Sequence, residues 1–127
     1  MELNNGGSCG CGKKHVCDVK KLIIEKSALV SLPSLLCEAG AEKPFLIMDG
    51  NTKKAAGDTV SDILKNAGIP FSSYVYETTE PLAPTEETFG RVMMFWDPSC
   101  DCIVAVGSGV INDVSKLVSR VSGRPYI

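Results

Sequence analysis

The 127-residue chain has a single histidine, His15, so no Ser-His-Asp triad can be assembled around its glycine-rich stretch at residues 107–113. Hydrolytic chemistry of that kind is disfavoured. Long hydrophobic runs are also lacking: the apolar stretches reach about five or six residues, against the ~20 that a membrane-spanning helix needs. The opening MELNNGGS has neither the basic region nor the apolar core of an export signal, which predicts a cytoplasmic location. These first eight residues are polar and glycine-rich and read as a loose tail. Neither charge is in excess. Thirteen Lys and Arg against fifteen Asp and Glu leave a net charge of -2, which offers no electrostatic reason to expect nucleic acid or anionic lipid as partner. Hydrophobic residues at 44% and charged residues at 22% describe an ordinary globular composition, and the length suits one domain.

Six cysteines are present, and a cytosolic chain keeps them as thiols. Cys37, on an apolar helix face, and Cys102, opening a buried strand, read as small core hydrophobes. From residue 44 onward strands and helices alternate. Phe45, Leu46, Ile47 and Met48 form a short continuous apolar run, as a strand buried on both faces does, and it ends at Asp49-Gly50. A helix over about 52–66 follows, bent or interrupted at Gly57, with Val60, Ile63, Leu64 and Ala67 inward and Gly68 closing it. The second strand covers 71–76. The next helix starts near Thr85, with Glu86 and Glu87 in its first turn and Phe89, Val92, Met93 and Trp96 inward. Strand 102–106 and helix 110–121, with a stripe of Val110, Ile111, Val114, Leu117, Val118 and Val121, complete the third unit before Gly123 and Pro125. Upstream, residues 15–19 and 22–25 read as a hairpin, Ser27 as a turn, and Pro33 as the first turn of a short helix that stops at Gly40. The predicted fold is α/β, a Rossmann-like three-layer parallel sheet preceded by an N-terminal β-hairpin. A fourth strand is due where only Tyr126 and Ile127 remain, so the chain reads as cut short, and the uncovered side of its sheet favours self-association as a homo-oligomer.

Residues 107–113, GSGVIND, stand between the third strand and its helix. A Gly-x-Gly turn there lets bare backbone N–H groups meet a phosphate at a helix N-terminus, and the same turn also serves as a tight connection with no ligand. The third glycine of the usual dinucleotide fingerprint is replaced by Asn112. Asp49, at the carboxyl end of a strand, suits a ribose hydroxyl or a helix cap.

GSGVINDVSK, the strand ending MDGNT, the prolines and acids before Thr88, and CGCGKKH followed by IIEKSAL together resemble the sn-glycerol-1-phosphate dehydrogenase family. More broadly they resemble the superfamily of iron-containing alcohol dehydrogenases, glycerol dehydrogenases and dehydroquinate synthase. The resemblance covers residues 9–127 and implies that residues 1–127 are an NAD- or NADP-binding N-terminal domain. It implies cofactor contacts from Gly107, Ser108, Gly109, Val110, Ile111, Asn112, Asp113 and Lys116, with Asp49 at the adenosine ribose. The family's zinc, nickel or iron is held by an aspartate and two histidines of a following helical domain, which these residues do not include. The implied substrate is a small phosphorylated polyol, and the implied state of this part alone is inactive. The alternative function is a stand-alone module that binds a nucleotide or phosphometabolite without catalysis.

Cys9, Cys11, His15 and Cys17 place four soft ligands within nine residues and raise a zinc site, against a plain hairpin strand. Cys100 and Cys102 flank Asp101 and, two apart on a strand, point the same way as half a site. Lys116 either approaches the cofactor or pairs with Asp113 in solvent.

Overall fold

The computed structural model describes residues 10–13 and 18–127. A 3-10 turn (Ala28–Ser31) leads into α1 (Leu32–Glu38), and β1 (Pro44–Asp49) follows. Next come α2 (Gly50–Thr52), a π turn (Lys53–Gly57) and α3 (Asp58–Asn66) as one unbroken helical path. The remaining elements are β2 (Ser72–Tyr76), α4 (Glu86–Met94), β3 (Cys102–Val106) and α5 (Gly109–Ser122).

The strands form one parallel sheet in the order β2-β1-β3, with Phe45 opposite Ser72 and Ile103, and Met48 opposite Val75 and Val106. Pleating sends successive side chains of β1 to opposite faces, and both faces are covered. Leu46, Met48, Val104 and Val106 pack with Leu32 and Leu36 of α1 and Val60 and Leu64 of α3. Phe45, Ile47 and Ile103 pack with Val92 of α4 and Ile111, Val114 and Val118 of α5. Each such side chain taken fully out of water contributes roughly 1.5–3 kcal/mol, so the two helical layers hold the sheet between them. The three-layer α/β reading is therefore what the chain adopts.

Gly57 does not interrupt its helix. A Cβ there would lie 2.5 Å from Met48 Sδ, so the absence of a side chain lets the helix lie directly on β1, and the widened turn ends on that residue. Glycines 40, 68 and 123 end α1, α3 and α5 in the left-handed region, at φ of 68, 69 and 69°.

Four expectations are corrected. Residues 18–27 contain no strand, and residues 15–17 of the expected hairpin lie outside the described residues. The sheet edge beside this segment, the outer edge of β3, is already engaged: Ile103 N donates to Pro125 O (2.8 Å) and Ala105 N to Ile127 O (2.8 Å), the first pairings of a fourth parallel strand. The segment instead lies along α1, tied by an exposed Lys21–Glu38 ion pair (2.7 Å) of little energetic weight. Cys37 is exposed, since α1 buries Leu32 and Leu36 and the next residue points about 100° away. Ala67, Leu117 and Val121 are exposed as well. Cys100 and Cys102 are both buried but belong to opposite faces of the sheet, because Cys100 precedes the strand and does not follow its alternation. Burial, with the charge of Asp101 adding to it, pushes the Cys102 thiol up to about 11, so it stays protonated as a core residue.

Two aspartates sew the amino ends of the strands together. Asp101 accepts from Glu42 N (2.7 Å) and Lys43 N (3.0 Å) just before β1. Asp97 accepts from Ser72 Oγ at the start of β2 (2.6 Å), Ser99 Oγ (2.6 Å), Lys43 Nζ (2.9 Å) and Ser99 N (3.0 Å). The hydrogen bonds from Ser72, then Ser99 and Lys43, hold the Asp97 carboxyl well below the usual carboxylate range. A depressed carboxyl pKa stabilises the fold above the unfolded value near ~4 and loses that contribution as pH falls through the folded value. Asp97→Asn should therefore melt below the wild type at neutral pH, with the gap closing as the pH drops under about 4. Melting curves recorded across that range that stay a constant distance apart would remove the charge from the explanation.

Candidate functional site

The connections from β1 and β3 leave on opposite sides: α3 covers the face holding Leu46, and α5 the face holding Phe45. The carboxyl ends of these neighbouring strands therefore diverge around a crevice, the place where open α/β sheets receive ligands. Met48 pairs with Val106, so Asp49 and Gly107 leave the ladder side by side at its mouth.

Asp49 has a structural duty there. Its Oδ1 accepts from Asn51 N and Thr52 N (both 2.8 Å), while Asp49 N donates to Thr52 Oγ1 (3.0 Å), a reciprocal cap on the helix that follows. The cap reading of this residue is thus realised. Its second oxygen, Oδ2, takes no hydrogen bond among the described residues and remains available to a ligand hydroxyl. On the other side of Asp49, in register, stands Tyr76. Its hydroxyl donates to Thr88 O and its pKa is raised, mainly by burial, so it stays protonated and ties α4 to the same edge.

The two loop glycines differ in what they do. A Cβ on Gly107 would stand 2.7 Å from Ile111 Cβ and 2.9 Å from its Cγ1, so this position is reserved by internal packing. A Cβ on Gly109 would meet nothing within 4 Å, so its absence keeps open the space in front of the loop. Ser108 is the N-cap residue of α5 in extended conformation (φ -107°, ψ -155°), yet its side chain makes no capping bond. Three helical segments begin at this edge of the sheet, and α2 and α4 are closed by Asp49 and by Thr85, whose Oγ1 accepts from Thr88 N (3.2 Å). Only α5, fourteen residues long, presents its first N–H groups uncapped. Bare N–H groups at the positive end of a long helix attract an anion.

Of the remaining candidates, Val110 and Ile111 turn their side chains into the core and can offer only backbone N–H groups. Asn112 is half-buried, and its N donates to Ser108 O (2.9 Å). Asp113 and Lys116 lie further along the exposed side of α5, with Lys116 Nζ 3.5 Å from Asp113 Oδ1, a surface pair set back from the loop. Cys9, His15 and Cys17 lie outside the described residues, and Cys11 alone of that cluster is within them. Among the described residues no group of three or more His, Cys, Asp or Glu could hold a metal, and no helix is long and apolar enough to cross a membrane. Thr52 and Gly57 were not foreseen as parts of this edge; the spacing Asp49-x-x-Thr52 is the signal that reveals the first.

The sequence profile of the iron-containing alcohol dehydrogenase family matches residues 23–127, and the chain belongs to that family. It is 29% identical over 122 residues to a glycerol-1-phosphate dehydrogenase [NAD(P)+] of Halalkalibacterium halodurans, covering 94% of this chain and 31% of that protein. A glycerol-1-phosphate dehydrogenase [NAD(P)+] of Methanospirillum hungatei is 28% identical over 109 residues, covering 85% of this chain and 28% of its own length. The chain thus spans less than a third of the length of these relatives. Among solved structures, a putative alcohol dehydrogenase from Ralstonia eutropha superposes with a TM-score of 0.64 at 19% identity, over 87% of this chain and 30% of that one. Glycerol dehydrogenase from Schizosaccharomyces pombe gives 0.63 at 13% identity, over 78% and 24%. These two likenesses establish the shared α/β fold.

Because Gly107 is reserved by Ile111, Gly107→Ala should destabilise the fold by about 1–3 kcal/mol through overpacking, whether or not any ligand is present. Equilibrium urea unfolding measures this, and a neutral result would show that Ile111 can retreat.

Proposed function

We propose that this chain is the NAD(P)-binding N-terminal domain of an sn-glycerol-1-phosphate dehydrogenase, which interconverts dihydroxyacetone phosphate and sn-glycerol 1-phosphate. The observation that carries the reading is the uncapped N-terminus of α5 facing the open space at Gly109. The residues suit a dinucleotide there: main-chain N–H groups from Gly109 to Ile111 point toward a diphosphate, and Gly107 and Ser108 form the turn that delivers them. Asp49 keeps one carboxylate oxygen for a ribose hydroxyl, with its orientation set by the cap it makes through the other. Asn112, Asp113 and Lys116 continue the same helix toward the nicotinamide end. NAD or NADP, once bound, accepts or supplies the hydride; the chain's own residues bind and orient it.

In this reading the metal that polarises the substrate carbonyl, whether zinc, nickel or iron, and the phosphate site of the small polyol belong to a helical domain beyond residue 127, and residues 1–127 alone are inactive. The surface around β3 supports further packing on that side. Leu22, Leu29, Val104, Val106 and Ile127 line a trough of about 360 Å³ beside the strand, where additional β–α units of the domain would fit. We place the protein in the cytoplasm.

Gly109→Val separates ligand space from fold stability, because nothing lies within 4 Å of its Cβ position. Calorimetric titration with NADH and NADPH should show binding weakened at least about tenfold, the scale of losing charge-assisted hydrogen bonds, with the melting temperature unchanged. Wild-type affinity in the variant would sink the cradle.

A further inference from the structure

Three of the chain's six cysteines and its single histidine fall within nine consecutive residues, Cys9-Gly10-Cys11-Gly12-Lys13-Lys14-His15-Val16-Cys17. The cofactor reading uses none of them, since it rests on Asp49, residues 107–113 and Lys116. The fold employs its other cysteines differently. Cys100 and Cys102 are buried, and burial raises both thiols, so they pack as neutral side chains. Cys37 sits exposed on α1. The four soft ligands upstream form a set of their own.

Cys9, His15 and Cys17 lie outside the described residues, and their spacing is what joins them to Cys11. The run contains two chelating pairs, Cys9-x-Cys11 and His15-x-Cys17, each with its members two apart, so that in an extended chain both side chains of a pair leave the same side. Two such pairs close on one ion only if the chain reverses between them. The described residues carry that reversal: residues 10–12 turn, and Gly12 takes a left-handed φ of 71°, which a side chain would resist. Cys11 is exposed there, with its Sγ 4.0 Å from Lys13 O across the turn. Three thiolates and a neutral imidazole on a divalent cation leave one net negative charge, which Lys13 and Lys14, between the two pairs, offset.

We propose that Cys9, Cys11, His15 and Cys17 bind one zinc ion in a closed site of three thiolates and one imidazole, clipping residues 9–17 together. Four protein ligands leave no open position, so this zinc is structural and takes no part in hydride transfer. It differs in kind from the metal centre that the family resemblance implies downstream, where an aspartate and two histidines supply oxygen and nitrogen. Sulfur ligands select zinc over hard cations such as magnesium and calcium. The thiols give up their protons as the metal enters, so affinity rises with pH.

Cobalt(II) in place of zinc tests the site on the full-length protein under reducing conditions, because thiolate-to-cobalt charge-transfer absorption arises only where sulfur ligates. One equivalent of cobalt should produce that absorption, and added zinc should abolish it. Cys9→Ser combined with Cys17→Ser should remove it, while Cys37→Ser leaves it intact. His15→Ala should weaken zinc binding at least about tenfold and His15→Cys should restore it, a rescue that a packing role would not give. Each variant should keep the wild-type circular dichroism, since the first helical element begins at Ala28. Cobalt-loaded protein without the charge-transfer absorption would overturn the proposal. So would absorption that survives the loss of Cys9 and Cys17, which would assign it to other cysteines.

Discussion

The turn from β3 into α5 is the constraint on which the proposed ligand edge depends. Ile111 comes so close to Gly107 that a single added carbon would stand 2.7 Å from its Cβ. That contact anchors the first turn of α5 on the carboxyl end of β3, and the helix axis follows from it. With the axis set and Ile111, Val114 and Val118 buried on one face, the N–H groups of the first turn point back along the helix toward the carboxyl end of the sheet, the end at which Asp49 also leaves β1. Packing, not a polar network, aims the donors.

On the proposed reading, stability and recognition occupy opposite ends of the same sheet. At the amino ends, Asp97 and Asp101 accept bonds from the segments that precede β1 and β3 and from Ser72, the first residue of β2, and the Asp97 carboxylate has four donors on it. At the carboxyl ends, two helices are closed by their own side chains and one is left open. A fully satisfied end rigidifies the strands, so an unsatisfied one can be held ready without the sheet adjusting around it.

Much of this was legible in the residues. Phe45 to Met48 announced a strand covered on both faces, and Gly40, Gly68 and Gly123 marked helix ends where positive φ is required. The loop 107–109 and Asp49 were both visible as candidates, and their adjacency follows from the β1–β3 register, which local pattern cannot supply. The N-terminal hairpin failed for a related reason: residues 22–25 have strand-forming composition, but a strand needs an edge, and the one nearby is held by Tyr126 and Ile127. Cys100 and Cys102 misled because alternation applies only within a strand, and the first of them lies before it. The division of labour between Gly107 and Gly109 was beyond sequence altogether, since it depends on where the side chain of Ile111 falls in space.

The charge of the chain also becomes intelligible. A net charge of -2 argues against an anionic ligand if side chains must do the binding. At this edge they need not: Lys116 is paired with Asp113 on the exposed side of α5, and the donors that face the open space are main-chain amides. A helix terminus offers roughly half a positive charge without any cationic residue, and its field acts over the first turn only. On the proposed reading, a diphosphate is met by a short-range, geometrically fixed field rather than by a cloud of lysines. Such a site discriminates by fit and leaves the protein surface free to be mildly acidic.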